Sequence, residues 1–169
     1  MRSWNIRRNK GEILVGVLFL ATTLQAYADC QPVSGKISET IISPFAPNDP
    51  FGRTLGSVEG VLNGSTTAII TSFNPFPPAP FIVLNITTLN VFVTKGGDVL
   101  VGTGAGTFTP IPGEPPGNFT DTLTVTITGG SGKFAGATGT ITYSGAGHSV
   151  FGPGLGFFDF RYTGSVCTP

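Results

Sequence analysis

Charged residues are scarce in this chain, and several residue types on which common sites depend are nearly missing. Only 11 % of the 169 residues are charged, and the chain has one histidine, two cysteines, one tryptophan and one methionine. So few histidines and cysteines leave no group of ligand residues at a spacing that suggests a metal site. A Gly-x-Ser-x-Gly nucleophile elbow is missing as well. We therefore expect no metal and no cofactor, and the sequence assigns no catalytic residue.

The N-terminal stretch has the order of a secretory signal peptide. Four basic residues among the first ten precede an apolar run over residues 13–24, and Ala26-Tyr27-Ala28 follows it. About twelve apolar positions fall short of the roughly twenty that a bilayer-spanning helix needs. The sequence therefore predicts a signal peptide over residues 1–28, cleaved after Ala28, and a protein that is secreted or periplasmic.

The remaining part, residues 29–169, is mildly acidic. It holds five basic and eight acidic residues, a net charge of −3. Because a nucleic-acid binder needs a basic surface, we expect no nucleic acid as partner. Its two cysteines, Cys30 and Cys167, lie close to its two ends. In an oxidising compartment this placement indicates a structural disulfide, with two unpaired thiols as the alternative.

Residues 29–169 alternate between apolar and polar side chains with a period of two, which is typical of β-strands. The clearest case is residues 120–128, where Leu123, Val125 and Ile127 alternate with threonines. In the fourth strand the apolar phase shifts near Thr87, which indicates a bulge or a short turn. The pattern predicts eight strands, near residues 33–42, 54–63, 66–73, 81–94, 98–109, 119–128, 138–146 and 155–166.

The predicted connections alternate in length. Those after the even-numbered strands are short and rich in glycine, whereas those after the odd-numbered strands are longer and rich in proline or glycine. In an up-and-down sheet, all odd-to-even connections lie at one end, so four long loops would gather at one mouth. An even number of strands also brings Cys30 and Cys167 together if the sheet closes. We therefore predict an all-β fold, a single eight-stranded antiparallel up-and-down β-barrel over residues 29–169.

Residues 129–140, GGSGKFAGATGT, resemble the segment of form GG(S/T)GxFxxAxG in dirigent proteins and allene oxide cyclases. The segment is also similar to one in secreted bacterial proteins. Both named families share an eight-stranded antiparallel barrel, so the resemblance implies that fold. No catalytic or pocket residue of either family matches a position here, and no activity is carried over. Physically, the glycines allow a sharp turn with positive φ, and Phe134 is expected to plug the barrel base.

Candidate site residues are predicted at the long-loop mouth. His148 could act as a general base or a pH-sensitive group there, with a solvated loop residue as the alternative. Apolar walls with a few polar groups are typical of small-molecule pockets, although the rings could simply pack the loops onto the rim. The residues that would share the mouth with His148 are Asp49, Glu114, Phe45, Phe51, Phe76 and Phe151. Tyr143 and Tyr162 are expected to be core residues with satisfied hydroxyls.

Three functions remain open, and the sequence does not decide whether the protein is an enzyme. The first is a secreted barrel that binds a small apolar or aromatic ligand at the mouth, which a well-formed cavity would support. The second is an isomerase or cyclase, as the resemblance implies, which requires an acidic residue or a tyrosine facing the cavity. The third is a structural or surface-interaction protein with a filled interior. Because the chain lacks clear aromatic girdles and an aromatic C-terminus, we expect no stable membrane insertion.

Overall fold

A computed structural model of the protein describes residues 29–42, 51–75, 82–148 and 156–169. All eight predicted strands are present, and a short 3-10 turn at Gly132–Phe134 is the only helical element in these ranges. The predicted signal peptide lies outside the described residues. The strands are β1 (Asp29–Ile41), β2 (Thr54–Gly60), β3 (Gly64–Asn74), β4 (Leu84–Thr94), β5 (Val99–Pro110), β6 (Asn118–Ser131), β7 (Thr138–His148) and β8 (Phe157–Thr168).

The strands form a closed barrel in which each pairs with its neighbours in chain order. All pairs are antiparallel, and β8 pairs with β1 to close the sheet. The predicted eight-stranded antiparallel up-and-down barrel is therefore confirmed. Cys30 and Cys167 lie opposite each other in the β1–β8 register, with Cα atoms 3.9 Å apart, and form a disulfide. This bond is compatible with an extracellular or periplasmic location.

The end of the barrel that carries the disulfide, which we name the base, is closed by apolar side chains. Leu62, Phe92 and Leu100 are almost completely buried there, and Phe134 inserts from the 3-10 turn. The expected plug at the base is thus confirmed. Gly132 begins this turn and Gly136 follows it, with φ of 63° and 70°, the left-handed region that glycine adopts without strain.

The opposite end of the barrel, which we name the mouth, carries the longer connections. Residues 42–53, 75–83, 111–117 and 149–156 join the strands there, and parts of three of these segments lie outside the described residues. The gathering of the four long connections at one end is confirmed by the strand order. In the part of the chain that the structure describes, no helix has the length and apolar character needed to cross a membrane.

The bulge predicted in the fourth strand is wrong. β4 alternates without interruption, and its inward positions change from apolar side chains to the buried polar Thr88 and Asn90. The register irregularity lies in the partner strand β3, between Ile70 and Ser72. The apolar phase of the sequence shifts because polar residues occupy the inner face of β4, not because its backbone is irregular.

The disulfide should contribute substantially to stability. On the chain-entropy model, a loop of 137 residues corresponds to about 5 kcal/mol, and measured disulfides typically give about 2–4 kcal/mol. We expect replacement of both cysteines by serine to lower the free energy of unfolding by about 3 kcal/mol. Urea unfolding of the double variant and of the parent protein, with and without reductant, measures this. Equal stability in all cases would show that the β1–β8 pairing alone holds the ends.

Candidate functional site

A ring of polar side chains lies inside the barrel between the base and the mouth. Inward-facing positions of a small barrel are normally filled by apolar side chains, so a buried polar set is informative. We name this ring the polar waist. Its members, all buried, are Glu39, Thr54, Thr66, Thr88, Asn90, Asp121 and Tyr143.

A cluster of phenylalanine rings lies on the mouth side of the polar waist. We name Phe73, Phe108, Phe119 and Phe158 the phenylalanine cap; all four are buried. Phe108 is its centre, with ring centroids 4.6 Å from Phe119, 5.8 Å from Phe158 and 6.4 Å from Phe73. Phe160 connects the cap to the waist, since its ring lies 5.7 Å from Phe158 and 6.0 Å from Tyr143.

The waist and the cap bound a small space, which we name the chamber. It contains about 330 Å³ of space between atoms, counted up to its open side, but only about 20 Å³ is wide enough for the centre of a water molecule. That volume is sufficient for about one water or a group of similar size. Gly104 on β5 helps to maintain the waist, because a Cβ there would collide with the Thr88 hydroxyl and the Asn90 amide.

Glu39 is the waist's best-satisfied carboxyl group. The Thr54 hydroxyl donates to Glu39 Oε2 over 2.8 Å, and the Thr66 hydroxyl also bonds to this carboxyl. Burial raises the pKa of Glu39, and the two threonine hydrogen bonds oppose this by stabilising the ionised form. Thr54 is held in turn by the backbone N–H of Ala68, 3.0 Å from its Oγ1. The ionised form of Glu39 is therefore stabilised by hydrogen bonds from neighbouring threonines.

Asp121 is buried with less support. The backbone N–H of Thr122 donates to its carboxyl group, but Oδ1 has no hydrogen-bond partner. Burial, followed by the negative charge of Glu39, raises the pKa of Asp121 to about 8. The Asp121 carboxyl is consequently protonated in a large share of molecules at neutral pH, and Asp121 is one of the residues that line the chamber.

Tyr143 is the second waist residue with an unused polar atom. Its hydroxyl is buried and has no partner, and burial raises the pKa of Tyr143 well above its ordinary value. The expectation of a satisfied hydroxyl is therefore wrong for Tyr143. It is confirmed for Tyr162, whose hydroxyl accepts from the Leu62 N–H at 3.0 Å and donates to the Glu59 carbonyl at 3.1 Å.

No basic side chain of the described residues balances the two waist carboxyls. Every lysine, arginine and histidine in those residues is exposed. The salt bridge that is seen, Lys133 to Asp98 at 3.5 Å, lies at the base on the surface. A buried carboxylate without a cation or several hydrogen bonds is costly, so the waist is electrostatically incomplete.

Of the sequence-predicted site residues, the structure describes His148, Glu114 and Phe51, and it places them at the rim rather than in the chamber. His148 is exposed; its Nδ1 lies 2.6 Å from Asn118 Oδ1, and Asn118 Nδ2 donates to Glu114 Oε2 at 3.3 Å. The two predicted residues are thus brought together through Asn118. Phe51 packs edge-on against Phe73, with centroids 5.9 Å apart. The other predicted members, Asp49, Phe45, Phe76 and Phe151, lie outside the described residues. A role for any of them in ligand binding stays a prediction.

The waist carboxyls are not among the residues predicted from the sequence, because those candidates all belong to predicted loops. Glu39 follows Ile37 and precedes Ile41 at the inward phase of β1, and Asp121 holds the same phase in β6. A signal was therefore present: an acidic residue at an apolar phase of a strand. Two such positions in one chain point to a polar group inside a barrel.

A wider groove of about 610 Å³ lies on the outer surface across β1, β2, β7 and β8. Its charged lining residues, Lys36, Glu59, Asp159 and Arg161, are all exposed. The Ser38 hydroxyl donates to Asp159 Oδ1 at 2.6 Å. Because these side chains are solvated and carry both signs of charge, a ligand would gain little by replacing water there. The interior chamber is the stronger candidate site.

Comparisons with known proteins do not identify a relative. No family model matches the chain, and no curated protein or solved structure gives a significant match. The case for a site therefore depends on the residues of this chain. The chamber brings together buried acidic groups, unused hydrogen-bonding atoms and aromatic rings, a combination typical of ligand sites.

Two tyrosines on neighbouring strands allow a matched test of this description. Tyr143 and Tyr162 lie opposite each other in the β7–β8 register. We expect Tyr143→Phe to raise the free energy of unfolding by about 1 kcal/mol, because it removes a buried hydroxyl that has no partner. Tyr162→Phe should lower it by about 2 kcal/mol, because it breaks two hydrogen bonds and leaves the Leu62 N–H unsatisfied. Urea denaturation measures both, and the same sign for both variants would contradict the hydrogen bonding described here.

Proposed function

We propose that this protein is an exported small-molecule-binding barrel, in which the chamber holds the ligand and the mouth admits it. The observation that carries the proposal is the pair of buried, unpartnered atoms, Asp121 Oδ1 and Tyr143 OH, in two residues that line the chamber. Leaving a buried polar atom unsatisfied costs about 1–3 kcal/mol. A ligand that bonds to both atoms would remove that cost, and so these atoms favour an occupied barrel.

A purely structural role explains the waist less well. If the interior served packing alone, apolar side chains of similar volume at positions 39 and 121 would be more stabilising than two buried carboxyls. The base shows that this chain can fill a barrel in that way, since Phe92 and Leu100 are completely buried there. Natural proteins retain destabilising groups where function requires them. The contrast between base and waist therefore supports a ligand at the waist.

The surroundings indicate the general form of the ligand. Its polar group would meet the waist, and its apolar part would contact the rings of Phe108, Phe158 and Phe160, which also line the chamber. The roughly 20 Å³ of free volume holds only a group about the size of a water molecule. A larger ligand must displace rings of the phenylalanine cap toward the mouth. Side-chain rotations of this kind are a normal part of binding.

Native mass spectrometry of the protein purified from its own host tests the proposal. We expect a fraction of molecules to carry a small ligand that dissociates at higher collision energy. Asp121→Asn and Tyr143→Phe should lose most of that fraction, whereas Asp159→Asn, which changes an exposed acid on the outer face of β8, should retain it. Bare protein from the native host, together with no ligand-induced rise in melting temperature across a small-molecule library, would refute the proposal.

Isomerase or cyclase activity is a second candidate function. The observation that favours it is the raised pKa of Asp121, about 8, because a carboxyl that titrates near neutral pH can donate and accept a proton. Asp121 and Tyr143 line the chamber, and such a reaction would need an acidic residue or a tyrosine there. If the recovered ligand contains an acidic C–H group, incubation with the protein in deuterated water should exchange it. Asp121→Asn should abolish the exchange, and unchanged exchange would exclude Asp121 as the proton carrier.

A further inference from the structure

The chamber presents more oxygen acceptors than free hydrogen-bond donors. Glu39 and Asp121 supply two carboxyl groups, and the oxygen of Tyr143 can accept as well. Three waist donors are already used: the Thr54 and Thr66 hydroxyls bond to Glu39, and an Asn90 amide N–H bonds to Thr88 Oγ1 at 2.7 Å. The unpartnered Tyr143 hydroxyl is free to donate or accept. A ligand that only accepts hydrogen bonds would find few partners here. A ligand with several N–H donors would find three oxygens.

The charge balance leads to the same ligand class. In the ranges that the structure describes, both buried ionisable acids lie in the waist and every basic side chain is exposed. A carboxylate or phosphate ligand would add a further buried negative charge beside Glu39 and Asp121, which is strongly unfavourable. A positively charged ligand would instead supply the missing counter-ion. Because the interior is poorly solvated, that attraction is much stronger than at the surface.

The phenylalanine cap and the size of the chamber add two further constraints. Phe108, Phe158 and Phe160 line the chamber beside the carboxyls, and the faces of aromatic rings attract organic cations. The roughly 20 Å³ of free volume fits one group the size of water, such as a primary ammonium. A bulky quaternary ammonium head would not fit beneath the rings.

Building on the proposed function, we infer that the ligand is a small primary ammonium ion whose N–H groups bind Glu39, Asp121 and Tyr143 and whose apolar part contacts the phenylalanine cap. Neutral alcohols share the size but not the charge, and carboxylates carry the wrong charge. A chamber that holds a single water molecule and no ligand is the remaining alternative. The four cases, an ammonium ion, a neutral alcohol, a carboxylate and a single water molecule, predict different binding results.

The titratable groups that face the Asp121 carboxyl from the packed strands decide the pH dependence. They are Glu39 on β1, whose charge acts on Asp121, and Tyr143 on β7, which lines the same chamber. Tyr162 on β8 acts on Tyr143. The inward groups of β2, β3 and β4 at this level, Thr54, Thr66, Thr88 and Asn90, do not titrate. Asp121 is largely protonated below pH 8 in the free protein. An ammonium ion binds the ionised form, so binding below that pH releases about one proton. Affinity should therefore rise up to tenfold per pH unit from about pH 6 toward pH 8.

Three probes of similar size test the inference on the full mature protein: benzylamine, benzyl alcohol and benzoate, titrated by calorimetry in two buffers of different ionisation enthalpy. We expect saturable binding of benzylamine, at least tenfold tighter than that of benzyl alcohol, with proton release and no detectable binding of benzoate. Asp121→Asn should remove the proton release and weaken benzylamine at least tenfold at pH 8, while Asp159→Asn should change neither. If Asp121→Asn does not fold, Glu39→Gln provides the second variant, and the comparison of probes needs no variant.

The other outcomes separate this inference from the proposed function. Benzyl alcohol binding as tightly as benzylamine, or benzylamine binding without proton release, would overturn the ammonium inference and leave a binding barrel for neutral ligands. Binding of benzoate alone would overturn it as well. If no probe binds and the host-purified protein is bare in native mass spectrometry, the chamber holds only water and both proposals are wrong. If no probe binds but a non-basic ligand is recovered from the host, only the ammonium inference is wrong.

Discussion

The free energy of unfolding of this protein should fall by about 5 kcal/mol between about pH 4 and pH 8, because Asp121 binds its proton more tightly in the folded state. Its pKa is raised from 3.8 to about 8. Between these two values the unfolded chain has lost the proton while the folded protein still holds it. The contribution of Asp121 to stability therefore decreases as pH rises through this range and is constant below it. Glu39, whose pKa is also raised by burial, adds to the decrease.

Asp121→Asn gives the sharpest check of this pH dependence. An amide does not titrate, so most of the decrease should disappear, and the part that remains belongs to Glu39. The matched control is Asp159→Asn, an exposed acid on β8 that should leave the slope unchanged. Urea unfolding at half-unit steps from pH 4 to pH 8 measures all three proteins. A parent protein whose stability is level or rises across this range would show that Asp121 is ionised without cost, and the chamber would then have to be hydrated.

The buried acids of this protein should lower its stability toward neutral pH. A ligand that neutralises these acids should restore that stability. Binding to the folded state alone adds stability in proportion to the logarithm of ligand concentration over Kd. The waist carboxyls and the unpartnered Tyr143 hydroxyl therefore lower the stability of the ligand-free protein, and a ligand would bind to these same groups. Tyr143→Phe should therefore raise the free energy of unfolding but weaken ligand binding. This is the expected relation for a functional group whose burial destabilises the protein.

The barrel could be predicted because its determinants are local and repeated. In each strand, the alternation of apolar and polar residues identifies the face that points into the barrel. The even number of strands, together with the positions of Cys30 and Cys167, implies that the sheet closes. Errors occur at strand ends: β2 ends at Gly60 rather than residue 63, because Val61 and Leu62 already form the turn and Leu62 packs into the base. Such boundaries depend on tertiary packing, which alternation does not report.

The chamber could not be predicted because its groups are far apart in the sequence. Glu39, Asp121 and Tyr143 come from β1, β6 and β7, and their proximity follows from closure of the barrel. Whether a buried oxygen finds a partner also depends on geometry: Tyr162 does and Tyr143 does not. The inward polar residues of β4, Thr88 and Asn90, did leave a trace, since they shift the apolar phase. This shift in phase has two explanations, a bulge in the strand or polar residues inside the barrel, and only the backbone structure distinguishes them.

Removal of the central ring of the phenylalanine cap should both destabilise the protein and admit water to the waist. Phe108→Ala is expected to lower the free energy of unfolding by about 4 kcal/mol, the usual cost of deleting a buried phenylalanine ring. Phe108 contacts Phe73, Phe119 and Phe158, so its loss opens the chamber toward the mouth. With water at the waist, burial no longer raises the pKa of Asp121 as strongly. The decrease in stability between pH 4 and pH 8 should then shrink in this variant.

Phe134→Ala is the matched control, because Phe134 is equally a buried phenylalanine but closes the base rather than the mouth. It should cost a similar amount, about 4 kcal/mol, yet retain the full pH dependence, since the 3-10 turn at the base is remote from Asp121. Urea unfolding of both variants at pH 5 and pH 8 separates loss of packing, which is common to the two, from hydration of the waist, which is specific to Phe108→Ala. An unchanged pH dependence in Phe108→Ala would mean that the other three rings of the cap seal the chamber without it, and that a ligand reaches the waist by a path other than the one through Phe108.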